Sequence, residues 1–294
     1  METVVIQAII TGLMMGGMYG LLAVGMSLII GVANIMQLCH GDLLMIAMYI
    51  TLGIVTISGV DPYVAILAVL PIMLLLAIVT FKYFPGIGKL VKLSSMKQML
   101  FMLGFSYFLQ NIVLMVVGSN YYTLNSVVTK FDMTIGNFYF SSTRFLAGVV
   151  SIIFMLILMF IINKTDLGRS IRAASQDKEA ASMMGINVNR TYLIAWMLGL
   201  GTLGVAGPMI TSIFTFYPYI APFWQMMAFM SVVLGGLGNI FAALVGGFIM
   251  SVAMELGNAF LPGSLAPAMP FMIFIIVLVF KPEGLFGESA RGAK

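Results

Sequence analysis

Residues able to do chemistry are scarce in this chain of 294 residues. His40 is its single histidine and Cys39 its single cysteine, so a zinc site of ordinary ligand count cannot be assembled. No serine stands in a G-x-S-x-G turn, and the lone histidine has no triad around it. The stretch "PGIGKLVK" (85–92) has the look of a phosphate loop. It lacks the first glycine at the required distance and a Ser or Thr after Lys89, so it cannot cradle a nucleotide. One cysteine also excludes an internal disulfide framework. Acids near the apolar segments come down to Asp42 and Glu255, and the sequence shows a partner for neither. Proton- or sodium-driven carriers usually need such groups at midplane. The residues therefore point away from covalent catalysis, from a bound cofactor or metal, and from an energy source within the chain.

Polar side chains gather in three places instead. "ANIMQLCHGD" (33–42) sets Asn34, Gln37, His40 and Asp42 between two apolar segments, and "LGGLGN" (234–239) does likewise with Gly235, Gly236, Gly238 and Asn239. Irregular backbone at membrane depth must line a cavity or be covered by protein, and broken helices often sit beside transport pathways. Each stretch is either part of a pathway or gate, or an ordinary turn at the cytoplasmic surface. The third place is "NKTDLGRSIRAASQDKEAASMMGINVNR" (163–190), a polar segment in a chain only 8% charged. Here Asp177 is a good N-cap, Glu179 falls in the first turn where the helix dipole favours an acid, and Gly185 suits a C-terminal stop. That pattern predicts a short helix over 178–184, with Met183 and Met184 exposed at its end. Upstream, "GRSIRAAS" is expected to continue the preceding helix into water, with Arg169 and Arg172 near the headgroups. A short capped helix carrying small residues and two flexible thioethers suits a protein groove. The plainer alternative is an amphipathic surface helix.

The elements that position these residues are membrane helices. Mean hydropathy is +1.10, 61% of residues are hydrophobic, and Thr3 to His40 contains no Lys, Arg, Asp or Glu. A span needs roughly 20 apolar residues, and the alternation of a barrel, with strands of about 10 residues, is absent. Apolar segments lie at 5–31, 43–60, 63–81, 98–117, 145–162, 191–213, 223–237, 240–260 and 267–280. The fold class is all-α: a polytopic integral membrane protein of about eight or nine membrane segments, short or broken ones included, forming one membrane domain over 1–294. The first segment is too long, and lacks the basic start and cleavage site, to be a signal peptide. Loop 82–97 carries Lys82, Lys89, Lys92 and Lys97 with no acid, which puts it in the cytoplasm. Counting onward, 118–143 falls outside, 163–190 inside, 214–222 outside and the tail from Lys281 inside. The N-terminal side depends on whether 32–42 is a true loop. The segment 118–143 suits either a short hairpin on the outer face or an irregular loop with interfacial aromatics. The positive-inside rule accounts for the net charge of +4 better than nucleic-acid binding does. Gly12, Gly16 and Gly20 share one helix face, and Ala242/Gly246 and Ala243/Gly247/Ser251 repeat the device, a spacing that lets helix backbones approach closely in lipid.

Four landmarks carry a family resemblance. "EAASMMG" (179–185) resembles the EAA-x-x-x-G loop of ABC importer permeases, and the wider segment 165–190 resembles its version in branched-chain amino acid permeases. "GLMMGGMYGLLAVGMSLIIGVANIMQLCHGD" is similar to that family's opening helix with its N-x-x-H-G ending. "VLGGLGNIFAALVGG" (233–247) is similar to its penultimate glycine-rich segment, and "FKPEGLFG" (280–287) to its closing R-P-x-G-L-F-G. Cys39, Asn239 and Lys281 depart from the commonest residues of those motifs. The resemblance implies the shorter permease subunit type of an ATP-driven importer in a bacterial inner membrane, carrying Leu, Ile or Val. It further implies a second related permease, two subunits that bind the ATP, and a periplasmic or lipid-anchored binding protein as partners. Asp177, Glu179, Ala180, Ala181, Met183, Met184 and Gly185 would then couple this chain to the ATPases. Relatives that serve sugars, urea or other small polar molecules leave the ligand open. A self-sufficient secondary transporter and a non-transport scaffold are the rival classes.

Overall fold

The structure is a computed structural model and describes residues 1–286 except Phe84 and Asn137, with only the backbone of Lys92 and Ile135. Gly287, the last residue of the closing motif, lies outside the described residues. Eleven helices are present among the described residues: α1 Glu2–Ala33, α2 His40–Ser58, α3 Pro62–Lys82, α4 Ser95–Val117, α5 Ser142–Lys164, α6 Asp166–Gln176, α7 Lys178–Met183, α8 Val188–Thr211, α9 Ala221–Gly235, α10 Ile240–Phe260 and α11 Ala268–Phe280. Eight helical stretches are long and apolar enough to span a membrane. The ninth apolar segment is α9, whose 15 residues extend only about 22 Å, short of the roughly 30 Å hydrocarbon layer. The expectation of eight or nine membrane segments, some of them short, therefore holds.

The chain divides into two compact units built from interleaved segments, with α1, α5 and α9 each contributing to both. The first unit takes residues 1–27, 127–152 and 227–294. Its organising feature is small residues. A Cβ on Gly12 would stand 2.6 Å from Val252 Cα, one on Gly16 would strike the Phe248 ring, and one on Gly247 would stand 2.4 Å from Gly20 Cα. The Gly12/Gly16/Gly20 row thus packs on the Ala243/Gly247/Ser251 row, α1 against α10, and Ser251 Oγ donates to Gly12 O at 2.8 Å across the seam, while Gly246 of the third row meets Ser231 O of α9. Gly17 meets Gly148 of α5 in the same manner. In lipid there is no hydrophobic drive between helices, so this close approach is what holds them. Strands β1 (Met133–Ile135) and β2 (Phe138–Phe140) pair antiparallel, which selects the hairpin alternative for part of 118–143. On this exposed hairpin the Tyr139 hydroxyl donates to Asp132, which holds the phenol above its ordinary range. Gln7 brackets Tyr139, donating to its carbonyl at 2.8 Å and accepting from its N–H at 2.9 Å. The start of α1 therefore shares the hairpin's side of the membrane, which resolves the side left open by sequence.

The second unit takes 28–126 and 153–226. Helices α3 and α8 form its most extensive pair: Gly204 sits on Leu70 and Met73, and Trp196 Nε1 donates to Thr80 Oγ1 at 3.1 Å. At one end Tyr122 and Phe216 exchange backbone hydrogen bonds of 2.9 Å, and Ser126 donates to Asp61 at 2.8 Å. This joins 59–61, 118–126 and 211–217 on one side. At the other end the short helical turn Ile87–Lys92 lines a groove together with the starts of α7 and α8. The two basic loops assigned to the cytoplasm therefore meet, and so do the loops assigned outside.

Candidate functional site

The stretch 33–42 lies in the second unit, and it is buried where a surface turn would be exposed. Helix α1 is followed by Asn34, a non-glycine residue at φ 50; Asn tolerates the left-handed region better than most side chains, and its own side chain is exposed. Beyond it the chain runs non-helically to Cys39, with Ile35, Gln37, Cys39, His40 and Asp42 all buried. Contacts with α4 rank these residues by depth. Met36 N–H donates to Gln98 Oε1 at 3.4 Å, Cys39 Sγ donates to Met102 Sδ at 3.6 Å, and Asp42 Oδ1 accepts from Gln110 Nε2 at 2.7 Å. At a rise of 1.5 Å per residue these partners stand about 5, 10 and 22 Å along α4 from its lysine-flanked start. The unwound strand therefore climbs through the inner half of the membrane, and α2 starts at depth.

Two further glutamines make this possible. Gln225 of α9 donates to Gln37 O at 3.0 Å and accepts from Gly41 N–H at 2.9 Å, so one amide satisfies two backbone groups of the break. Gln98 also donates to Leu90 O and Leu93 O, at 3.1 and 3.2 Å. His40 Nδ1 lies 3.1 Å from Gln37 Oε1. Gly41 has no room for a side chain, since a Cβ there would stand 2.1 Å from Ala221 O. Sequence reasoning named Asn34, Gln37, His40 and Asp42 but missed Gln98, Gln110 and Gln225. The signal was available: an isolated glutamine in an apolar span needs a partner as much as an asparagine does.

The stretch 234–239 lies in the first unit and is built otherwise. Gly236 and Gly238 have φ 125 and 83, and Asn239 caps α10 by accepting from Ala242 N–H at 3.1 Å. Gly235 has Ala242 O where a Cβ would be, at 2.2 Å. The closing segment covers the end of α9: Leu285 and Phe286 donate backbone N–H to Leu234 O and Gly235 O at 2.8 and 3.0 Å. Glu255, in the same unit, has a partner after all, its carboxylate lying 3.6 Å from Arg144.

The polar segment 163–190 forms two helices beyond α5. The expected continuation of α5 through "GRSIRAAS" does not occur. Thr165 caps a separate α6, and the chain turns so sharply that a Cβ on Gly168 would lie 1.9 Å from Ile162 O. The buried Gly168, Ile171 and Ala174 mark the face of α6 that packs inward, with α8 among its neighbours. The short α7 follows as expected, within a residue of its predicted end. Asp177 Oδ1 accepts from Glu179 N–H and Ala180 N–H at 2.8 and 3.1 Å, and Gly185 takes φ 84. Ala181 is buried against the rest of the unit, while Glu179 and Ala180 are exposed and Met183 and Met184 are 85% and 83% exposed. Two large thioethers thus stand free together at the end of a capped helix in a polar segment, an exposed apolar pair of the kind that can meet a partner.

A multi-helix membrane protein with buried broken helices and a projecting capped helix fits the class of membrane permeases. The chain matches, over residues 8–278, the family model described as the branched-chain amino acid transport system / permease component, and it belongs to that family. It is 29% identical to the high-affinity branched-chain amino acid transport system permease protein LivH of Escherichia coli K12, over 96% of both chains. It is 26% identical to BraD of Pseudomonas aeruginosa, again over 96% of both. A probable branched-chain amino acid transport permease of Methanocaldococcus jannaschii is also 26% identical, over 93% of this chain and 90% of that one. No solved structure matches.

Proposed function

We propose that this chain is the membrane-spanning subunit of an ATP-driven importer of branched-chain amino acids, set in the cytoplasmic membrane. A second related permease, two ATP-binding subunits and an external substrate-binding protein complete the machine, and the ATP is bound and hydrolysed on the separate subunits. The observation that carries this reading is α7, whose caps and exposed Met183 and Met184 match the demands of a docking helix, in a chain of this family. Asp177, Glu179, Ala180, Met183, Met184 and Gly185 form the docking face, with Ala181 anchoring it. Closure of the ATPases would then move α7 and, through α6 and α8, the spans on either side.

The route for the solute is assigned to the buried break of 34–42, with Gln37, His40 and Asp42 beside it and Asn34 at its mouth. The glycine-rich turn of 235–239 is given a separate part in this proposal, as a fixed anchor within its own unit. A lightly polar channel suits aliphatic side chains that pass without tight capture.

The test is Gly185→Asp. A Cβ at Gly185 meets no atom of this chain within 4 Å, so the variant carries only the strain of a left-handed non-glycine residue, about 1 kcal/mol or more. It should insert in the membrane, yet lose both the co-purifying ATPase and ligand-stimulated ATP hydrolysis in proteoliposomes. Wild-type values for both would sink the docking assignment.

A further inference from the structure

Near the end of the second unit where its basic loops meet lies a groove of about 660 Å³. Its floor is aromatic: Phe81, in the last turn of α3, and Tyr192, early in α8, are both largely buried. Its rim is cationic, with Lys82, Lys89 and Lys178 all exposed and Glu179 as the one acid in the lining. None of the three lysines takes part in an ion pair among the described residues. The positive edge continues past Lys82, since an adjoining cavity shares Phe81 and Lys82 and adds Arg190.

Depth decides what such a groove can hold. Lys82 is the last residue of a span and Tyr192 lies within the first turns of another, so the floor stands at the headgroup level of the inner leaflet. Basic pockets between spans on the cytoplasmic side fit phosphate headgroups, with the glycerol and upper acyl carbons on an apolar floor. Of the docking face only Glu179 reaches the groove, while Met183, Met184 and Gly185 at the tip of the helix do not line it. We propose that this groove binds the phosphodiester headgroup of an anionic glycerophospholipid, clasped by Lys82, Lys89 and Lys178 over Phe81 and Tyr192. The inference needs only that the basic loops face the cytoplasm, and it is independent of which solute the permease carries.

The full chain, extracted in detergent and equilibrated with equal phosphatidylglycerol and phosphatidylcholine, would be examined by native mass spectrometry for retained lipid. Wild-type protein should keep phosphatidylglycerol in preference. Each of Lys82→Gln, Lys89→Gln and Lys178→Gln should weaken retention about fivefold, the worth of one basic residue beside an anionic headgroup. The triple Gln variant should show no preference, the triple Arg variant should keep it, and Lys130→Gln on the opposite loop should change nothing. Equal retention of both lipids, or a triple Gln variant that keeps phosphatidylglycerol, would overturn the assignment. Displacement of the lipid by inorganic phosphate would do the same, pointing to a soluble anion. So would lysine variants that keep the lipid and lose the ATPase, which would make the groove a protein contact.

Discussion

The two interruptions, 34–42 and 235–239, look alike as sequence and are solved by different physics. Both break apolar helices with small and polar residues, and both must satisfy backbone groups that the helix no longer pairs. In the first, side chains from far along the chain do it: Gln225 reaches Gln37 O and Gly41 N–H, and Gln98 reaches Met36 N–H. In the second, backbone does most of it: two positive-φ glycines close the turn and the tail N–H groups of Leu285 and Phe286 cap α9, with the Asn239 side chain adding one local cap to α10. A break held by side chains can be released and remade by rotating an amide. A break held by backbone is fixed by the path of the chain. The first kind is suited to an element that changes state during transport, and the second to a hinge or anchor that does not.

Gly41 offers the largest effect with which to break this contrast. A methyl group there meets the Ala221 carbonyl oxygen at 2.1 Å, and main-chain atoms cannot swing aside as a side-chain tip can. Gly41→Ala should cost about 3 kcal/mol or more, at the upper end of overpacking penalties. It should appear as a sharp fall in folded yield and in the thermal aggregation midpoint. A variant with wild-type yield and midpoint would mean that α2 and α9 can separate there at little cost, and that the break is looser than drawn.

Gln225 gives an intermediate effect and sharpens the comparison. Gln225→Leu removes both bonds to the break, and hydrogen bonds within membranes are worth about 0.6 kcal/mol on average and up to about 1.7. A total loss of about 1–3 kcal/mol leaves a folded protein whose break is no longer held in one state. Uptake should fall several-fold while the ATPase still co-purifies. Gln225→Glu keeps the acceptor for Gly41 N–H but loses the donor to Gln37 O, so it should fall between the two. Uptake kinetics unchanged in Gln225→Leu would reduce this residue to packing.

The fold was legible in the sequence wherever the signal was local or periodic. Apolar length located the spans, with helix ends displaced by up to about three residues because flanking polar residues such as Asp61 and Asn187 add turns beyond the apolar run. Small-residue spacing found both partners of the α1–α10 seam, since each row is readable on its own helix. The caps Asp177 and Gly185 located α7 because capping is a short-range interaction. What escaped was non-local. The roles of Gln98, Gln110 and Gln225 depend on partners 62, 68 and 184 positions away in sequence, and no periodicity points from one to the other. The independence of α6 escaped for a different reason. Thr165 is an ordinary cap, but an apolar run followed by polar helix formers reads equally well as one helix leaving the membrane.

Asn239 carries the smallest expected effect and separates the two kinds of break most cleanly. Its side chain accepts from Ala242 N–H at the start of α10, and replacing such a cap by Ala costs typically about 1 kcal/mol. Serine supplies an acceptor of similar reach, so Asn239→Ser should lose almost none of that stability. If the turn is an anchor held by backbone, uptake should follow stability alone: slightly reduced in Asn239→Ala through lower protein level, and normal per molecule in both variants. The measurement is initial uptake rate normalised to folded protein, beside thermal stability of the purified chain. A serine variant as stable as wild type but slow in uptake would show that the amide itself meets the solute or a moving element. The glycine-rich turn would then belong with 34–42 as a working part of the route, and the division between a releasable break and a fixed one would fall.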